Sequence, residues 1–409
     1  MNHWMRVVRP RNVAKIGHDS AMWFTLLFGG IAVLFLAMTL GVLFHLQWAR
    51  RLPSLNELAA GRLNVPRPVR CSVVVAARDE EARIEGTVRR LLAQAGVTLD
   101  VIVVDDRSTD GTGEILRRLA TEDGRVRVKR VDTLPDGWLG KCHACHVGAT
   151  IASGDWILFT DADCWLKPDV IARALRISER DGADHIALTP GITSATLGAR
   201  AWHLAFLMSL ADWFSGVNRD RPRAYLGMGA FNLVRATAYR ECGGYEALRL
   251  TVLDDVKLGL LLRRAGKRTR GFIGGDDTEC HWGTTVGAMI AVMEKNYFAA
   301  TDFRLAPAIA LGIGGPLFWM AAVVGPFTGT VAGMAAGVVL LSLMLPAGIV
   351  ARRLGWSLRS AVVTPFIYPA LFYAVFNSTW KTVCQGGVRW RDTFYPLDAL
   401  RAGTVRWGR

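Results

Sequence analysis

Residues 157–165 have the sequence Ile-Leu-Phe-Thr-Asp-Ala-Asp-Cys-Trp, an apolar run that ends in two carboxylates, Asp161 and Asp163. On an extended backbone, a spacing of two residues places both side chains on the same face. Two hard oxygen ligands at the end of a strand are typical of a site for Mg²⁺ or Mn²⁺. The same pattern also occurs in solvated turns, so this stretch alone leaves both interpretations open.

A second apolar run, residues 101–104, ends in the same way, at Asp105 and Asp106. Strands are predicted at 71–77, 101–104, 126–131 and 156–160, and helical patterns lie between them, at 80–95 and from 112. Such alternation predicts an α/β fold with a mostly parallel sheet. Ligands of parallel sheets bind beyond the carboxyl ends of the strands. Two acidic strand ends in one α/β segment therefore favour a nucleotide-sugar site over a turn.

Three segments lack charged side chains and are long enough to cross a bilayer core of about 30 Å, namely 21–46, 306–328 and 330–350. A fourth, 361–380, is apolar but contains Pro365 and Pro369, so it is interpreted as a kinked span or a re-entrant hairpin. The first segment is too long for a signal peptide, and Arg50 and Arg51 follow it. It is therefore expected to remain as an anchor.

The net charge of +14 is unevenly distributed along the chain. Residues 1–51 carry +5 and residues 351–409 carry +7, whereas the central residues 52–305 carry only +2. The basic excess flanks the apolar segments, where cations meet anionic lipid headgroups. This distribution indicates a membrane protein and removes most of the support for nucleic-acid binding.

The predicted organisation follows from these segments. It comprises a basic N-terminal segment (1–20), a transmembrane helix (21–46), a linker (47–68), an α/β domain with interfacial helices (69–305), two transmembrane helices (306–350), a basic loop (351–360), a transmembrane or re-entrant segment (361–380) and a basic C-terminal tail (381–409). Arg50–Arg51 and Arg352–Arg353 favour a cytoplasmic central domain in a multi-pass protein of the bacterial plasma membrane. Basic residues near both termini leave the topology of the N-terminus and of 361–409 open.

The seven cysteines are scattered along the chain. Their number is odd, and Cys71 and Cys164 lie in or beside apolar strands. This pattern predicts reduced thiols, as expected of a cytoplasmic domain.

A series of motifs extends over residues 70–275. In order, these are Ala77-Arg78-Asp79-Glu80, Asp105-Asp106-Arg107-Ser108, Gly137-Trp138-Leu139-Gly140-Lys141, Asp161-Ala162-Asp163 and Asp254-Asp255. The series resembles the inverting family 2 glycosyltransferases of the GT-A fold. It is most similar to membrane-bound members that glycosylate lipids, such as the hopanoid-associated and ceramide glucosyltransferase-like groups. A C-terminal pattern of those groups, Gly-Gly-x-x-Trp-Arg-x-x-x-Tyr, occurs here at 386–395.

The resemblance implies a role for most of these residues. Asp163 would bind Mg²⁺ or Mn²⁺, which neutralises the diphosphate leaving group as a Lewis acid. The residues implied to bind a UDP-sugar are Ala77, Arg78, Glu80, Asp105, Asp106, Lys141, Asp161 and Gly229. Lys141 is a plausible point charge for phosphate, and the alternative is a surface lysine.

Inversion in a single displacement requires a base that deprotonates the acceptor hydroxyl. Adjacent carboxylates can raise one another's pKa, and Asp254–Asp255 supplies such a pair. By resemblance the second acid, Asp255, is the base. The same pair is also typical of a helix N-terminus, and the two interpretations are compatible.

Many relatives end the catalytic domain with Gln-x-x-Arg-Trp, which this chain lacks. Trp282 and Tyr297 lie near the expected place and are candidates for the acceptor site. The missing motif argues against a processive polysaccharide synthase. Residues 202–213 have aromatic side chains at helical spacing, which indicates either core packing or an interfacial helix beside a lipid.

One motif points to a different class of protein. Cys142-His143-Ala144-Cys145-His146 matches the Cys-x-x-Cys-His pattern of c-type haem attachment and could also be interpreted as zinc ligands. No second Cys/His pair with zinc spacing follows, and haem attachment requires export. Residues of an ordinary helix are the favoured interpretation of this stretch.

Together these patterns predict a membrane-anchored GT-A hexosyltransferase that moves a sugar from a UDP-sugar to a lipid or lipid-linked hydroxyl, with Mg²⁺ or Mn²⁺. The alternatives are a polysaccharide synthase and a non-catalytic, nucleotide-binding membrane scaffold. The sugar, the lipid and the oligomeric state cannot be derived from the sequence.

Overall fold

An eight-stranded sheet forms the centre of the computed structural model, which describes residues 10–59, 69–193 and 195–407. Its strands are β1 (Arg70–Ala77), β2 (Thr98–Asp106), β3 (Val126–Val131), β4 (Trp156–Asp161), β5 (Cys164–Leu166), β6 (His185–Ile192), β7 (Asn232–Arg235) and β8 (Thr269–Cys280). Their order in the sheet is β3-β2-β1-β4-β7-β6-β8-β5. The pairs β2–β3, β1–β2, β1–β4 and β6–β8 are parallel, and the other three are antiparallel. The predicted α/β class with a mostly parallel sheet is confirmed.

Helices cover the sheet and continue beyond it. They are α1 (Pro10–Leu46), α2 (Leu55–Ala59), α3 (Ile84–Leu92), α4 (Thr112–Glu122), α5 (Gly140–Ile151), α6 (Val170–Asp181), α7 (Leu197–Ser209), α8 (Ala211–Asn218), α9 (Ala236–Glu241), α10 (Asp254–Arg264), α11 (Val286–Met293), α12 (Tyr297–Ala300), α13 (Leu305–Ile309), α14 (Gly315–Val324), α15 (Val331–Ser342), α16 (Met344–Arg353), α17 (Arg359–Cys384) and α18 (Leu397–Gly403). The strands β1, β2 and β4 are buried on both faces, which explains their continuous apolar sequences.

Four helical segments are long and apolar enough to cross a membrane: Met22–Leu46, Leu305–Thr328, Val331–Arg353 and Arg359–Cys384. The fourth is one continuous helix with both prolines inside it, so it is not a re-entrant hairpin. The contact between α1 and α15 includes a polar interaction, since the hydroxyl groups of Thr39 on α1 and Ser342 on α15 are hydrogen-bonded at 2.8 Å. Arg353 donates to the carbonyl oxygens of Leu46 and Ala49 and so caps the end of α1.

The sheet is tied to the apolar helices by the chain that leaves α1. The Ile273 N–H of β8 donates to the Arg50 carbonyl at 2.8 Å, and Arg51 pairs with Ile273 as a bridge. Residues 60–68 of the predicted linker lie outside the described residues. Helix α7 contacts both α16 and α17, and its Trp202 and His203 are fully buried. For these two side chains, core packing is therefore the correct one of the two interpretations given for residues 202–213.

The C-terminal segment is not a free basic tail. It forms a two-stranded hairpin, β9 (Gly387–Trp390) with β10 (Thr393–Pro396), followed by α18. Val388, Tyr395 and Leu400 are buried in the same apolar cluster as Val104 of β2 and Leu139 before α5. Residues more than 230 positions apart thus share one core.

One expectation about the cysteines is wrong. The antiparallel register of β5 with β8 places Cys164 opposite Cys280, and the two form a disulfide. The two cysteines are 116 residues apart in the sequence, so the sequence does not indicate that they pair. The other five cysteines are free, as predicted.

Candidate active site

The carboxyl ends of β1, β2 and β4 meet at one edge of the sheet. In the strand register, Ala77 lies beside Asp105 and Ala76 beside Asp161. A cavity of about 330 Å³ opens at this edge. Its lining residues are Ala76, Ala77, Arg78, Glu80, Asp106, Gly140, Lys141, Asp161, Ala162, Asp163, Val292, Lys295, Trp390, Arg391 and Tyr395.

Asp163 is an acid without a cation. Among the described residues, no lysine, arginine or histidine nitrogen lies within 4 Å of its carboxylate, although the side chain lines the cavity. Burial, and then the neighbouring charge of Asp161, raises its pKa to about 6. A partly buried carboxylate that faces an open cavity in this way suits a divalent cation with hard oxygen ligands. The residues present therefore fit Mg²⁺ or Mn²⁺.

Lys141 lies among three carboxylates at the start of α5. Its Nζ is 2.6 Å from Asp161 Oδ1 and 3.7 Å from Asp254 Oδ2. Burial disfavours the charged ammonium, but Asp161, Asp254 and Asp255 outweigh this effect and hold the pKa of Lys141 well above its ordinary value. Lys141 is thus a fixed positive charge at the cavity wall, and not a surface lysine.

Asp254 and Asp255 begin α10, and their carboxylates have different surroundings. Asp254 accepts a hydrogen bond from the Tyr245 hydroxyl at 3.0 Å. Asp255 accepts from the backbone N–H of Gly229 at 2.6 Å and of Val256 at 2.8 Å. Burial, and then the charge of Asp254, raises the pKa of Asp255 to about 6 despite the opposing effect of Lys141. Such a pKa suits a general base near neutral pH.

Gly229 lies between two of the acids. A Cβ atom at this position would be 2.5 Å from Asp161 Oδ2 and 3.3 Å from Asp255 Oδ2. Its N–H binds Asp255, and its carbonyl accepts from the Asp161 N–H at 3.0 Å. Glycine at 229 therefore allows Asp161 and Asp255 to approach the same point.

The two acids that end β2 face different ways. Asp105 is bound by Arg130 at 2.6 Å and by the Ser108 N–H at 3.1 Å, and it does not line the cavity. Asp106 does line the cavity, where Arg107 binds both of its oxygens, at 2.8 and 3.0 Å. The roles of Asp105 and Asp106 in ligand binding both stay predictions, and this geometry supports only that of Asp106.

Sequence reasoning did not assign the cavity wall that the C-terminal hairpin supplies. Arg391 donates to Glu80 at 3.1 Å, and Arg78 donates to Asp392 at 2.7 Å. The Tyr395 hydroxyl accepts from the Gly140 N–H at 3.3 Å. The Gly-Gly-x-x-Trp-Arg-x-x-x-Tyr pattern at 386–395 is the available signal, but it does not indicate which surface the hairpin covers.

Lys295 is a second cation that sequence reasoning missed. It lines the cavity, and its Nζ lies 3.5 Å from the centre of the Trp390 ring. Burial, and then the charge of Lys141, lowers its pKa to about 8. Lys295 lies in the turn between α11 and α12, and no motif in the sequence marks it.

The structure does not bring Trp282 and Tyr297 to the cavity wall. Tyr297 stacks on Trp202 with ring centres 6.4 Å apart, and Trp282 meets His203 edge-on at 6.4 Å. Their proposed acceptor role stays a prediction without support from this geometry.

The Cys-x-x-Cys-His motif forms part of α5. Cys142 and Cys145 are buried among apolar side chains, and His143 and His146 pack against Trp138. Thiols enclosed in this way are not placed to attach a haem, so the helix interpretation is favoured.

Residues 72–243 match the sequence profile of the family described as Glycosyl transferase family 2. This segment is a family 2 glycosyltransferase domain. It contains β1, β2 and β4 together with Asp163 and Lys141, whereas Asp255, Lys295 and the hairpin lie beyond the matched residues.

Curated relatives of the family 2 domain are enzymes named 4,4'-diaponeurosporenoate glycosyltransferase from Staphylococcus aureus. The protein of strain USA300 is 40% identical over 208 residues, which is 50% of this chain and 54% of the relative. That of strain bovine RF122 is 40% identical over 192 residues, 46% of this chain and 50% of the relative. The chain thus spans about half the length of the curated relatives it matches.

Among solved structures, the fold is similar to that of a mannosyltransferase from Pyrobaculum calidifontis in complex with GDP-Man and Mn²⁺. The TM-score is 0.50 at 17% sequence identity, over 87% of this chain and 99% of the other. At this identity the likeness shows the fold alone, and the GT-A fold predicted for the family 2 domain is confirmed.

Proposed function

We propose that this protein transfers a sugar from a UDP-sugar to a lipid hydroxyl at the membrane, with inversion at the anomeric carbon. The observation that carries the proposal is that an acid without a cation (Asp163) and a fixed cation (Lys141) line one cavity together with Asp161. The candidate base, Asp255, does not itself line the cavity, but it binds the Gly229 N–H beside Asp161. Acid, cation and base are the three elements that transfer to a hydroxyl requires.

The donor's diphosphate is proposed to lie between Asp163 and Lys141. Asp163 would hold Mg²⁺ or Mn²⁺, which as a Lewis acid disperses the charge that develops on the leaving diphosphate. Lys141 supplies a positive charge at the same wall of the cavity. Ala77, Arg78, Glu80 and Asp106 line the part of the cavity assigned to the nucleoside. The mannosyltransferase of similar fold was solved in complex with GDP-Man and Mn²⁺, which agrees with the proposal of a nucleotide sugar and a divalent cation on this fold.

Asp255 is proposed to remove the proton of the acceptor hydroxyl. The hydroxyl oxygen then forms a bond to the anomeric carbon on the face opposite the diphosphate. The bond between that carbon and the diphosphate oxygen breaks, and its electron pair leaves with UDP. Backbone N–H groups of Gly229 and Val256 fix the carboxylate of Asp255 for this step.

The lipid acceptor and the location are also proposals. Four apolar helices follow or precede the family 2 domain, and the curated relatives are named for a carotenoid acid as substrate. Arg50–Arg51 and Arg352–Arg353 at the ends of two spans favour a cytoplasmic domain.

The experiment that tests the function uses the full chain in lipid nanodiscs with a panel of UDP-sugars and a native lipid extract. UDP release that requires Mn²⁺ or Mg²⁺, one sugar and the lipid is the expected result. UDP binding without release for any sugar would contradict the proposal and favour the scaffold alternative. Release of UDP with a polymeric product would favour the polysaccharide synthase.

A further inference from the structure

A second cavity of about 290 Å³ adjoins the active-site cavity. It is lined by Ala291, Val292, Glu294, Lys295, Lys381, Thr382, Gln385, Gly387, Val388, Arg389 and Trp390. Three of these, Val292, Lys295 and Trp390, also line the first cavity. The two cavities therefore share a wall, and a molecule in the second lies next to the cavity proposed for the donor.

The second cavity lies where a candidate membrane span ends. Lys381 and Thr382 belong to the last turn of α17, and Gln385 follows it directly. The opposite side is formed by the end of α11, a helix without charged residues whose Ala291 is exposed. An amphiphile could therefore reach this cavity with its chain along apolar helix surfaces and its polar end toward the active site.

The lining of the cavity has more positive than negative charge. Its one acid, Glu294, pairs with Lys381 at 2.5 Å. Among the described residues, no carboxylate lies within 4 Å of Lys295 or Arg389, which contact the rings of Trp390 and Phe394. An ammonium in partly buried surroundings is costly without a counter-ion, and the lowered pKa of Lys295 reflects this cost. Within the described part of the chain, Lys295 is thus a partly buried cation without an acidic partner within 4 Å, and the exposed Arg389 is a second cation beside it in the lining.

We propose that the second cavity binds the acidic group of the lipid acceptor, a carboxylate or a phosphate, with Lys295 and Arg389 as its cations. Only the identification of the bound lipid as the acceptor rests on the proposed function. The anion-binding site itself does not depend on that function. The acidic group anchors the acceptor at the shared wall, and it leaves the acceptor oxygen free to face the sugar.

Binding is measured with the full chain in phosphatidylcholine nanodiscs, with cis-parinaric acid, a fluorescent fatty acid, as the probe and its methyl ester as the uncharged counterpart. We expect the acid to bind at least about tenfold more tightly than the ester. Lys295→Met and Arg389→Gln should each remove most of that difference, and Lys295→Arg should retain it. The matched control is Arg240→Gln, an exposed arginine of α9 that lines neither cavity.

Competition identifies the source of the anion. Displacement of the probe by lysophosphatidic acid at similar concentration indicates a site for lipid phosphates as well as for carboxylates, and no displacement indicates a carboxylate site. Equal affinity for acid and ester, or an unchanged difference in both variants, overturns the proposal. A Lys295→Met variant that loses UDP binding but retains the preference for the acid also overturns it, because Lys295 would then serve the donor.

Parallel measurement of UDP release separates the two proposals. Selective binding of the acid without any turnover contradicts the transferase function but leaves the anion site intact. Turnover with equal use of neutral and acidic lipids contradicts the anion site and leaves the transferase function intact.

Discussion

At the scale of single residues, Asp255 should be the group on which transfer depends most. Asp255→Asn keeps the shape of the side chain but removes its ability to take a proton. We expect transfer to fall by roughly 10² to 10⁴ while UDP binding is nearly unchanged. Steady-state rates and UDP affinity measured on the same preparation check this. Asp398→Asn is the control, since this side chain is 99% exposed at the start of α18, and normal turnover in Asp255→Asn would show that another group is the base.

The same carboxylate predicts a pH dependence. Its pKa is raised to about 6, so the unprotonated base predominates above that pH and is lost as the pH falls through it. The pH profile of kcat/KM should therefore have an acidic limb near pH 6. Asp163 has a pKa of about 6 as well, so the profile is recorded at saturating Mn²⁺ to separate loss of the metal from loss of the base. A flat profile from pH 5 to 8 would be inconsistent with either assignment.

Gly229 should not tolerate even one methyl group. A Cβ there approaches Asp161 Oδ2 to 2.5 Å, so Gly229→Ala must separate Asp161 from Asp255. We expect at least about a hundredfold loss of transfer, since misplacement of reacting groups by about 1 Å can cost this much. Gly124→Ala, where the methyl group meets no atom within 4 Å, is the matched control and should retain activity. Equal activity of the two variants would show that Gly229 is not needed to position Asp161 and Asp255.

At the scale of elements, the β9–β10 hairpin should be needed for donor binding. It contributes Trp390, Arg391 and Tyr395 to the cavity and is tied to it by the bonds Arg391–Glu80 and Tyr395–Gly140. A stop after residue 385 leaves α17 complete but removes this wall. We expect loss of UDP binding, measured by calorimetry in nanodiscs, whereas a stop after residue 406 should retain it. Tight UDP binding by the shorter chain would show that the wall is dispensable.

The strands and their acidic ends could be predicted from the sequence because burial on both faces leaves a continuous apolar run. Predicted 126–131 matches β3, and predicted 156–160 falls one residue short of β4. The helix expected at 80–95 is shorter, Ile84–Leu92, because Asp79 has a φ of +52° and residues 81–83 form a turn. The helical periodicity of apolar residues in the sequence does not indicate such local backbone geometry.

The parts that escaped prediction depend on contacts between distant residues. The partner of Asp105 is Arg130, 25 positions away on the neighbouring strand, so the direction in which Asp105 faces follows from sheet register. The hairpin reaches the cavity only after α17 has returned the chain to the domain, and Lys295 reaches it from the turn between α11 and α12. Likewise, Cys164 and Cys280 meet because β5 pairs with β8.

At the scale of the whole molecule, the proposed topology can be tested with a native cysteine. Among the described residues Cys384 is the exposed free cysteine, and it ends α17 next to the hairpin. If the family 2 domain is cytoplasmic, a membrane-impermeant maleimide should label Cys384 only after spheroplasts are permeabilised. Cys384→Ser should abolish the signal, and labelling of intact spheroplasts would place the domain on the outer side.

The hairpin also has a consequence for how the protein is made. Its cavity has one wall from residues 76–80 and another from residues 390–395. A ribosome therefore synthesises the acids of the first wall long before the residues that complete the pocket, and three of the four helices that are long and apolar enough to cross a membrane lie in between. Nascent chains that stall before residue 395 would lack a finished donor pocket. If these helices cross the membrane as proposed, the first turnover has to follow their insertion.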